Sequence, residues 1–569
     1  MKLHIERDIA TRILEDFNIL LSSNSKNSWQ EQLKLAGRIE IKFSDLTNEL
    51  LALLVELYAN KNATKFAVMT SLLNSRGHPS FESSDLEEFL AKLIQYLCYD
   101  AIRGWLFLLD GGGSLLPYVI SRIDYTPGGQ DDQPRILIEI KANTRGKLAN
   151  NQIIISARDL SNLSVAEILA EKGYLKESPE LIAEFDQSNI KYQQWRSDFG
   201  EQFSALGTGI YAEDPSANQR KTDWSQKTRV ILSTSGSPAR VVNDEAILTQ
   251  RELTLNQANT VLKPLTKKID RNSPFSPSTE KIIEHLQTTF SENSFTEIPM
   301  HGFILMFHLE LHHHLWVHVD NIEPYRYQPE LKDKLVLPTE HVELIDILTA
   351  EMEILMEDIV EGKSGGTTVL CSGPPGVGKT LTAEVYAEII RRPLYRVHSG
   401  QLGLNVAEME ANLKDVLIRA QRWGAVMLID EADVYIKRRD DNLTMNAVVG
   451  VFLRVLEYFN GLLFMTTNRI DDIDEAIISR CIAMIRYQQP NEQERAKIWQ
   501  VMSQQFGLNL TEDMCETLSN HFPKTSGRDI KGLAKLVARF CTYRNIGADI
   551  NIFEHCAKFR AIDIANLND

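Results

Sequence analysis

The chain has 569 residues, of which 43% are hydrophobic and 24% charged, and its formal net charge is −16. One hydrophobic core does not grow to that length, so we expect about two to four domains. The acidic balance disfavours unspecific binding to nucleic acid or to an anionic membrane, because both attract basic surfaces.

Cysteine spacing and hydropathy indicate in which cellular compartment the protein is expected. The six cysteines stand far apart, with no Cys-x-x-Cys pair, which argues against a disulfide framework or a zinc ribbon. Residues 1–11 carry charges and do not resemble a secretory signal. No segment approaches the roughly 20 apolar residues that span a bilayer. We therefore expect a cytoplasmic protein without membrane insertion.

The N-terminal part predicts a change from helices to strands. Residues 1–100 carry helical periodicity, for example from Leu46 to Tyr58. Beyond Gly104, short apolar runs between Gly, Pro and Asp turns predict strands. We therefore expect a helical domain over 1–100 and an α+β domain over 101–260 that selects a substrate or partner.

Two hairpins are predicted further along. Arg229–Leu232 and Ala239–Val242 could pair across a Ser-Gly-Ser-Pro turn. A helix from Ser278, followed by the runs Phe303–Leu311 and Leu315–Val319, predicts a small helix-plus-hairpin module over 275–334, for which a winged-helix form is one option. Six of the 13 histidines fall between His301 and His318. We expect them to face solvent, with a zinc site as the alternative.

Strands and helices alternate in the C-terminal part. The candidate strands are Thr368–Leu370, Leu394–Val397, Ala425–Ile429, Leu462–Met465 and Ile482–Tyr487. Such alternation predicts an α/β fold, with a parallel five-stranded sheet and helices on both faces, over 335–490. The remaining residues, 491–569, predict an all-helical region. Mixed α+β domains thus precede an α/β unit that ends in a helical segment.

A glycine-rich octet follows the first of these strands. It consists of Gly373, Pro374, Pro375, Gly376, Val377, Gly378, Lys379 and Thr380, with Leu381 next. Glycines let backbone N–H groups surround a phosphate where a side chain would clash, and the following helix directs its N-terminal dipole there. We predict a nucleotide site over these residues, in which Lys379 reaches the β- and γ-phosphates and Thr380 ligates Mg²⁺.

Two carboxylates complete this prediction. The apolar run Val426–Ile429 ends in Asp430 and Glu431. Ligands of open α/β sheets bind at the carboxyl ends of the strands, where these side chains would lie. We expect Asp430 to hold the Mg²⁺ shell and Glu431 to polarise the attacking water. The predicted cofactors are therefore ATP and Mg²⁺.

Three further motifs follow in order along the chain. They are Thr466-Thr467-Asn468-Arg469, Ser479-Arg480-Cys481 and Ser526-Gly527-Arg528-Asp529. Together with the loop and the two carboxylates, they resemble the AAA+ ATPases. The resemblance implies a P-loop nucleotide-binding subdomain, a helical lid and assembly into a ring of identical subunits, most often a hexamer.

The resemblance also implies roles for single residues. Asn468 would sense the γ-phosphate, Arg480 would act in trans as the arginine finger, and Arg528 would report on ATP within its own subunit. Arg486 is a rival for the finger. Asn468 could instead cap a strand, and Arg528 could cap its own helix.

Two features bear on the place of the chain within that superfamily. Val317–Thr339 and Asn446–Asn468 resemble a group of bacterial and fungal AAA ATPases with long, variable N-terminal regions. Protein-threading relatives carry an aromatic residue in the loop after the second strand. Residues 399–405 contain none, although Leu402 or Leu404 could substitute.

The function that we expect is Mg-dependent hydrolysis of ATP to ADP and phosphate. An oligomeric ring would use it to remodel, disassemble or load a protein substrate, which the N-terminal region recognises. A nucleic-acid-associated motor or clamp-loader-like switch is one alternative. An ATP-regulated assembly scaffold is another.

Overall fold

A computed structural model describes residues 2–563, except 37, 77–85, 99, 110–113, 127–132, 145–146, 161, 213–227, 234–236, 249–293, 351–365, 404, 440–442 and 470. The chain divides into two compact units. The first comprises 1–199 and 203–323, and the second 200–202 and 324–569. Among the helices described, none combines the length and apolar character needed to cross a bilayer. The predicted helix from Ser278 lies outside the described residues.

The first unit is a mixed α+β structure. Its helices are α1 (Arg7–Asp16), α2 (Ser23–Ala36), α3 (Asn48–Tyr58), α4 (Ala63–Ser75), α5 (Leu86–Cys98), α6 (Val165–Glu171) and α7 (Pro179–Trp195). Its strands are β1 (Lys2–Glu6), β2 (Arg38–Lys42), β3 (Trp105–Leu109), β4 (Leu115–Thr126), β5 (Arg135–Thr144), β6 (Lys147–Ser156), β7 (Tyr174–Lys176), β8 (Gln202–Ala205), β9 (Thr208–Tyr211), β10 (Arg229–Ile231), β11 (Ala239–Asn243), β12 (Phe303–His308), β13 (His313–His318) and β14 (Ile322–Pro324).

The domain over 1–100, predicted as helical, also contains a pair of strands. β1 and β2 pair antiparallel, with Leu3 opposite Ile41 and Ile5 opposite Ile39. These four side chains are buried in the same core as the surrounding helices. Each strand spans only five residues, and such a short alternation is easily missed beside stronger helical periodicity.

An antiparallel five-stranded sheet, in the order β6-β5-β4-β3-β7, follows the N-terminal helices. The alternation of β5 explains its place, because Ile136, Ile138 and Ile140 are fully buried while the residues between them are partly exposed. Residues on one side of a strand share a face of the sheet, so β5 contributes a continuous apolar stripe to the core.

A second sheet has the order β10-β9-β13-β12-β11-β8-β14. The hairpin of β12 and β13 lies at its centre, so it is not part of a separate module over 275–334, and that boundary was wrong. The predicted pairing of Arg229–Leu232 with Ala239–Val242 was also wrong, because β10 pairs with β9 and β11 pairs with β12. Both errors concern long-range partners, which local patterns do not specify.

The histidines of this hairpin were expected to face solvent, but several are buried. His301, His308 and His318 are each at most 4% exposed. His308 Nε2 lies 3.2 Å from the Leu232 carbonyl, and its Nδ1 accepts backbone N–H groups from Glu310 and Leu311. Within the described ranges, no group of three or more His, Cys, Asp or Glu residues is placed to hold a metal. Both ring nitrogens of His308 are thus engaged with backbone groups.

The buried carboxylate of Glu177 organises the start of β3. Its two oxygens accept the backbone N–H groups of all four residues from Ile102 to Trp105, at 2.8–3.2 Å. The side chain is 8% exposed. A carboxylate that accepts several N–H bonds is strongly anchored, and its loss leaves buried donors without partners.

We expect Glu177→Gln to speed amide hydrogen exchange of residues 102–105 by about one to two orders of magnitude, which corresponds to about 2 kcal/mol. The side chain of the variant would keep one oxygen acceptor but replace the other with an NH₂ donor. That donor would face backbone N–H groups that now bond to the carboxylate. Glu180→Gln, at an exposed position of α7, is the matched control. Unchanged exchange in the Glu177 variant would show that the carboxylate does not hold this segment.

The second unit contains the predicted α/β structure. Its strands are β15 (Thr367–Ser372), β16 (Leu394–His398), β17 (Val426–Asp430), β18 (Leu462–Thr467) and β19 (Ala483–Arg486). Its helices are α8 (Thr339–Ala350), α9 (Lys379–Ile389), α10 (Ser399–Leu402), α11 (Val406–Trp423), α12 (Asp433–Ile436), α13 (Leu443–Leu456), α14 (Glu475–Ile478), α15 (Glu492–Phe506), α16 (Glu512–His521), α17 (Gly527–Arg544) and α18 (Ile550–Lys558).

All neighbouring strands of the second unit run parallel, in the order β16-β17-β18-β15-β19. Their carboxyl ends therefore meet at one edge. The ends lie in register, since Ser372 pairs with Thr467 and His398 pairs with Asp430. This edge places the loops after β15, β17 and β18 side by side, as the α/β prediction requires.

Helices α15 to α18 have a core of their own. Trp499 and Phe553 are fully buried and meet edge to face at 5.4 Å. Ser526 and Asp529 form a capping box at the start of α17, which defines where this helix begins. The predicted helical region is therefore present, and one of its helices starts at the third predicted motif.

Candidate functional site

The glycine-rich loop connects β15 to α9. Gly373, Gly376 and Gly378 adopt φ values of +148°, +84° and +103°. At Gly373 a β-carbon would stand 2.4 Å from the Tyr487 carbonyl oxygen, whereas at Gly378 it would meet nothing within 4 Å. The first glycine is thus required by the fold. The last leaves open space at the N-terminus of α9, where an anion can approach the backbone N–H groups.

Lys379 lies beneath this loop and is 7% exposed. Its Nζ donates to the carbonyls of Gly373 and Pro374, both at 2.7 Å, and to Asn468 Oδ1 at 3.0 Å. Burial lowers the pKa of this ammonium group, and the charge of Asp433 opposes that shift. Two predicted site residues from different strand ends, Lys379 and Asn468, are therefore in direct contact.

Asp430 ends β17 and faces the start of α9. Its Oδ1 accepts the hydroxyls of Thr380 at 2.9 Å and Thr466 at 2.5 Å, and its Oδ2 accepts Arg396 Nη2 at 2.5 Å. Burial would raise the pKa of this carboxyl. The hydrogen bonds from both threonines and the Arg396 charge outweigh burial, so the pKa lies below its usual value.

The donor set at this point suits a magnesium ion. Mg²⁺ prefers oxygen ligands and in nucleotide sites commonly uses one carboxylate with a substrate phosphate. An ionised Asp430 and the Thr380 hydroxyl supply such oxygens at the mouth of the loop. The residues present therefore fit the predicted ion.

Glu431 has φ +55° and an exposed side chain directly after the buried end of β17. Its backbone N–H donates to Thr466 Oγ1 at 3.0 Å. The Thr466 hydroxyl thus bonds to both the Asp430 carboxylate and the Glu431 backbone N–H. These two bonds fix the turn in which the Glu431 side chain leaves the sheet.

Asp433 was missed by the sequence analysis. It accepts hydrogen bonds from the Thr467 hydroxyl and from the Asn468 backbone N–H, the latter at 3.1 Å. Asp433 therefore holds the loop that carries Asn468, which in turn contacts Lys379. The only local signal was a third acidic residue shortly after Asp430 and Glu431.

We expect Asp433→Ala to lower ATP turnover about tenfold with little change in nucleotide binding, because Asn468 would lose its support. Asp433→Asn keeps an oxygen acceptor and should restore most of the rate. Steady-state turnover and equilibrium binding of a fluorescent nucleotide would measure the two effects. Equal damage from both substitutions would contradict a positioning role.

The two candidate arginine fingers occupy different places. Arg480 follows α14, and its guanidinium donates to Glu457 and, at 3.1 Å, to the Ala476 carbonyl. Arg486 ends β19 and pairs in register with Ser372, immediately before the glycine-rich loop. Arg486 is thus beside the loop of its own chain, whereas Arg480 contacts α14 and the end of α13.

Arg528 lies at the start of α17 and is exposed. Its backbone N–H donates to the Gly376 carbonyl at 3.1 Å. A β-carbon on Gly376 would stand 2.7 Å from Ser526 Oγ, so the loop approaches this helix closely. The third motif therefore contacts the glycine-rich loop of its own chain.

Leu402 was one of two leucines that could replace the aromatic residue absent from the loop after β16. Its side chain is fully buried, so it does not take that place. Leu404 lies outside the described residues.

Comparison with known proteins identifies the same region. The family model "ATPase family associated with various cellular activities (AAA)" matches residues 369–489. A "26S proteasome regulatory subunit 8 homolog" of Encephalitozoon cuniculi is 28% identical over 36% of this chain and 52% of its own length. An uncharacterized AAA family ATPase of Sinorhizobium fredii is 28% identical over 29% and 52%. The chain thus spans about half the length of these relatives.

Among solved structures, a chain of the E. coli MS115-1 HORMA:CdnC:Trip13 complex is 18% identical. It superposes with a TM-score of 0.34 over 42% of this chain and 94% of that chain.

Proposed function

Because the chain belongs to the AAA+ ATPases, we propose that it hydrolyses Mg-ATP at the edge formed by β15, β17 and β18, and that it uses the energy to remodel, disassemble or load a protein substrate. The observation that carries the ATPase proposal is the contact network at this edge. Lys379 meets Asn468, and Thr380 meets Asp430.

Each group has a distinct task in this proposal. The N–H groups of residues 373–381 and the Lys379 ammonium bind the β- and γ-phosphates. Thr380 and Asp430 hold Mg²⁺, which when bound neutralises charge on the phosphates. Glu431 orients and polarises the attacking water. Asn468 places its amide beside the γ-phosphate, and Asp433 keeps Asn468 in position.

Two arginines connect the site to motion. Arg528 begins a helix whose backbone already contacts the glycine-rich loop, so it can respond to the nucleotide within its own subunit. We propose that Arg480 acts on the nucleotide of a neighbouring subunit in a homo-oligomer, which we take to be a hexamer. Its contacts with Glu457 and Ala476, rather than with its own loop, support a role in trans.

A protein substrate is supported by relatives that carry the name of proteasome regulatory subunits. The first structural unit, with its three sheets, would supply the recognition surface. The buried Leu402 argues against a grip on polypeptide at that position.

The test is capture with Glu431→Gln, which should bind Mg-ATP without cleaving it. Proteins and nucleic acids retained in ATP from a native lysate would be identified. Lys379→Ala is the non-binding control, and Glu475→Gln, at an 88% exposed carboxylate, is the matched charge control. Each retained partner would then be added to the unmodified protein.

Faster ATP turnover with a retained protein supports remodelling. Stimulation by DNA or RNA alone would favour a nucleic-acid motor. Slow turnover whatever is added would favour a scaffold.

A further inference from the structure

The exposed face of α17 carries a row of positive charges. Arg528, Lys531, Lys535 and Arg539 follow one another at intervals of three or four residues, so they share one face of the helix. All four are exposed. The opposite face supplies core residues such as Leu533 and Val537. We name these four residues, with Arg560 described next, the basic stripe.

A fifth cation joins the stripe from α18. At Gly532 a β-carbon would stand only 2.2 Å from Arg560 Cζ, so the guanidinium of Arg560 lies directly against the backbone of α17. The missing side chain at Gly532 makes room for it. Arg560 is also exposed. Gly532 lies four residues after Arg528 and three before Lys535, so Arg560 adds its charge to the same face of α17.

The stripe is not neutralised within its surroundings. None of its five side chains lies within 4.0 Å of an acidic group in the part of the chain that the structure describes. Residues 491–569 contain ten Lys and Arg and ten Asp and Glu, so the region has no excess of positive charge. The cations are segregated on one face, where they repel one another. An anionic partner would relieve that repulsion.

An apolar groove lies at the far end of the stripe. Phe506, Ala538, Thr542 and Tyr543 line it together with Lys535 and Arg539, and its volume is about 460 Å³. Tyr543 is 90% exposed, which is unusual for a side chain of that size beside an apolar floor. The groove therefore combines an apolar floor with two cations at its rim.

We propose that the stripe and the groove bind an acidic peptide segment of a protein partner, with one apolar side chain in the groove and carboxylates on Lys535, Arg539 and the cations beyond them. Cations one helical turn apart lie about 6 Å from each other, which matches carboxylates two residues apart in an extended peptide.

A peptide fits these features better than single-stranded nucleic acid. Nucleic acid without sequence preference uses successive aromatic platforms along a basic groove. The two aromatic residues that line the groove, Phe506 and Tyr543, lie together at one end of the stripe. An apolar pocket beside cations instead resembles anchor-residue recognition of peptides. Only Arg528, at the other end of the stripe from the groove, also belongs to the proposed ATPase site.

The test is fluorescence anisotropy with the full chain and no nucleotide. The probe is a fluorescein-labelled peptide of alternating Glu and Ser with one central Leu. Variants K535E and Y543A should each weaken binding about fivefold or more, because a rim charge or the groove wall is lost. Variant K497E, at an exposed lysine of α15 outside the stripe, is the matched control and should bind as the unmodified protein does.

Three outcomes would overturn the proposal. The peptide could fail to bind, K497E could weaken binding as much as K535E, or labelled oligo(dT) could bind more tightly than the peptide. A probe with Ala in place of Leu should bind several-fold more weakly, and equal affinity would count against the groove. Because nucleotide is omitted, an inactive ATPase site would not affect the result.

Discussion

Replacing Lys379 with alanine is expected to abolish nucleotide binding at micromolar protein and to lower ATP turnover by about 100- to 1000-fold or more. The buried ammonium is the positive charge at the base of the glycine-rich loop, and it ties the Gly373 and Pro374 carbonyls to Asn468. Its removal takes away both the charge that faces the phosphates and the connection between two strand ends.

The measurement is equilibrium binding of a fluorescent ATP analogue, with turnover followed by phosphate release. Lys414→Ala is the control, because this lysine is 54% exposed and pairs with Glu410 on the surface of α11. Circular dichroism should show that both variants are folded. Retained binding in the Lys379 variant would mean that the loop is not the phosphate site.

Replacing Arg480 with alanine is expected to lower turnover by about three orders of magnitude while ATP binding stays near its normal level. An arginine finger acts on charge that develops in the transition state, so its loss affects the rate more than affinity. The turnover of the unmodified protein per subunit should also rise with protein concentration, since in the proposed oligomer the finger comes from a second subunit.

Mixing variants tests the trans arrangement directly. Subunits with Lys379→Ala keep the arginine finger but lack a working glycine-rich loop. Subunits with Arg480→Ala keep the loop but lack the finger. A mixture should regain activity that neither shows alone. Arg454→Ala is the control, because this arginine pairs with Glu410 on the surface. If the mixture stays inactive while Arg486→Ala has the larger effect, the finger is Arg486 or acts in cis.

Local chemistry explains which predictions succeeded. Positive φ at Gly373, Gly376 and Gly378 and the apolar strand ending in Asp430 are properties of short segments, so their residue types alone indicate them. The parallel five-stranded sheet could also be predicted, because the alternation of strands and helices is visible along the chain.

Long-range pairing explains the failures. The hairpin Phe303–Val319 was assigned to a small module, yet β11 and β9 flank it from earlier in the chain. Its histidines were expected to face solvent, but His308 and His318 are buried in a sheet whose other strands come from elsewhere in the chain. Asp433 was overlooked because its partners, Thr467 and Asn468, lie 34 and 35 residues away in sequence.

By itself, the amino-acid sequence determined the glycine-rich loop, its strand and helix context, the two carboxylates and the order of the later motifs, since each depends on backbone conformation or periodicity over a few residues. Only the tertiary structure decided which strands are neighbours. That choice buries Leu402 and His308, brings Asp433 to Asn468, and places Arg560 over Gly532. The physical reason is that burial and side-chain pairing depend on segments far apart in the chain, whose contacts no local pattern specifies.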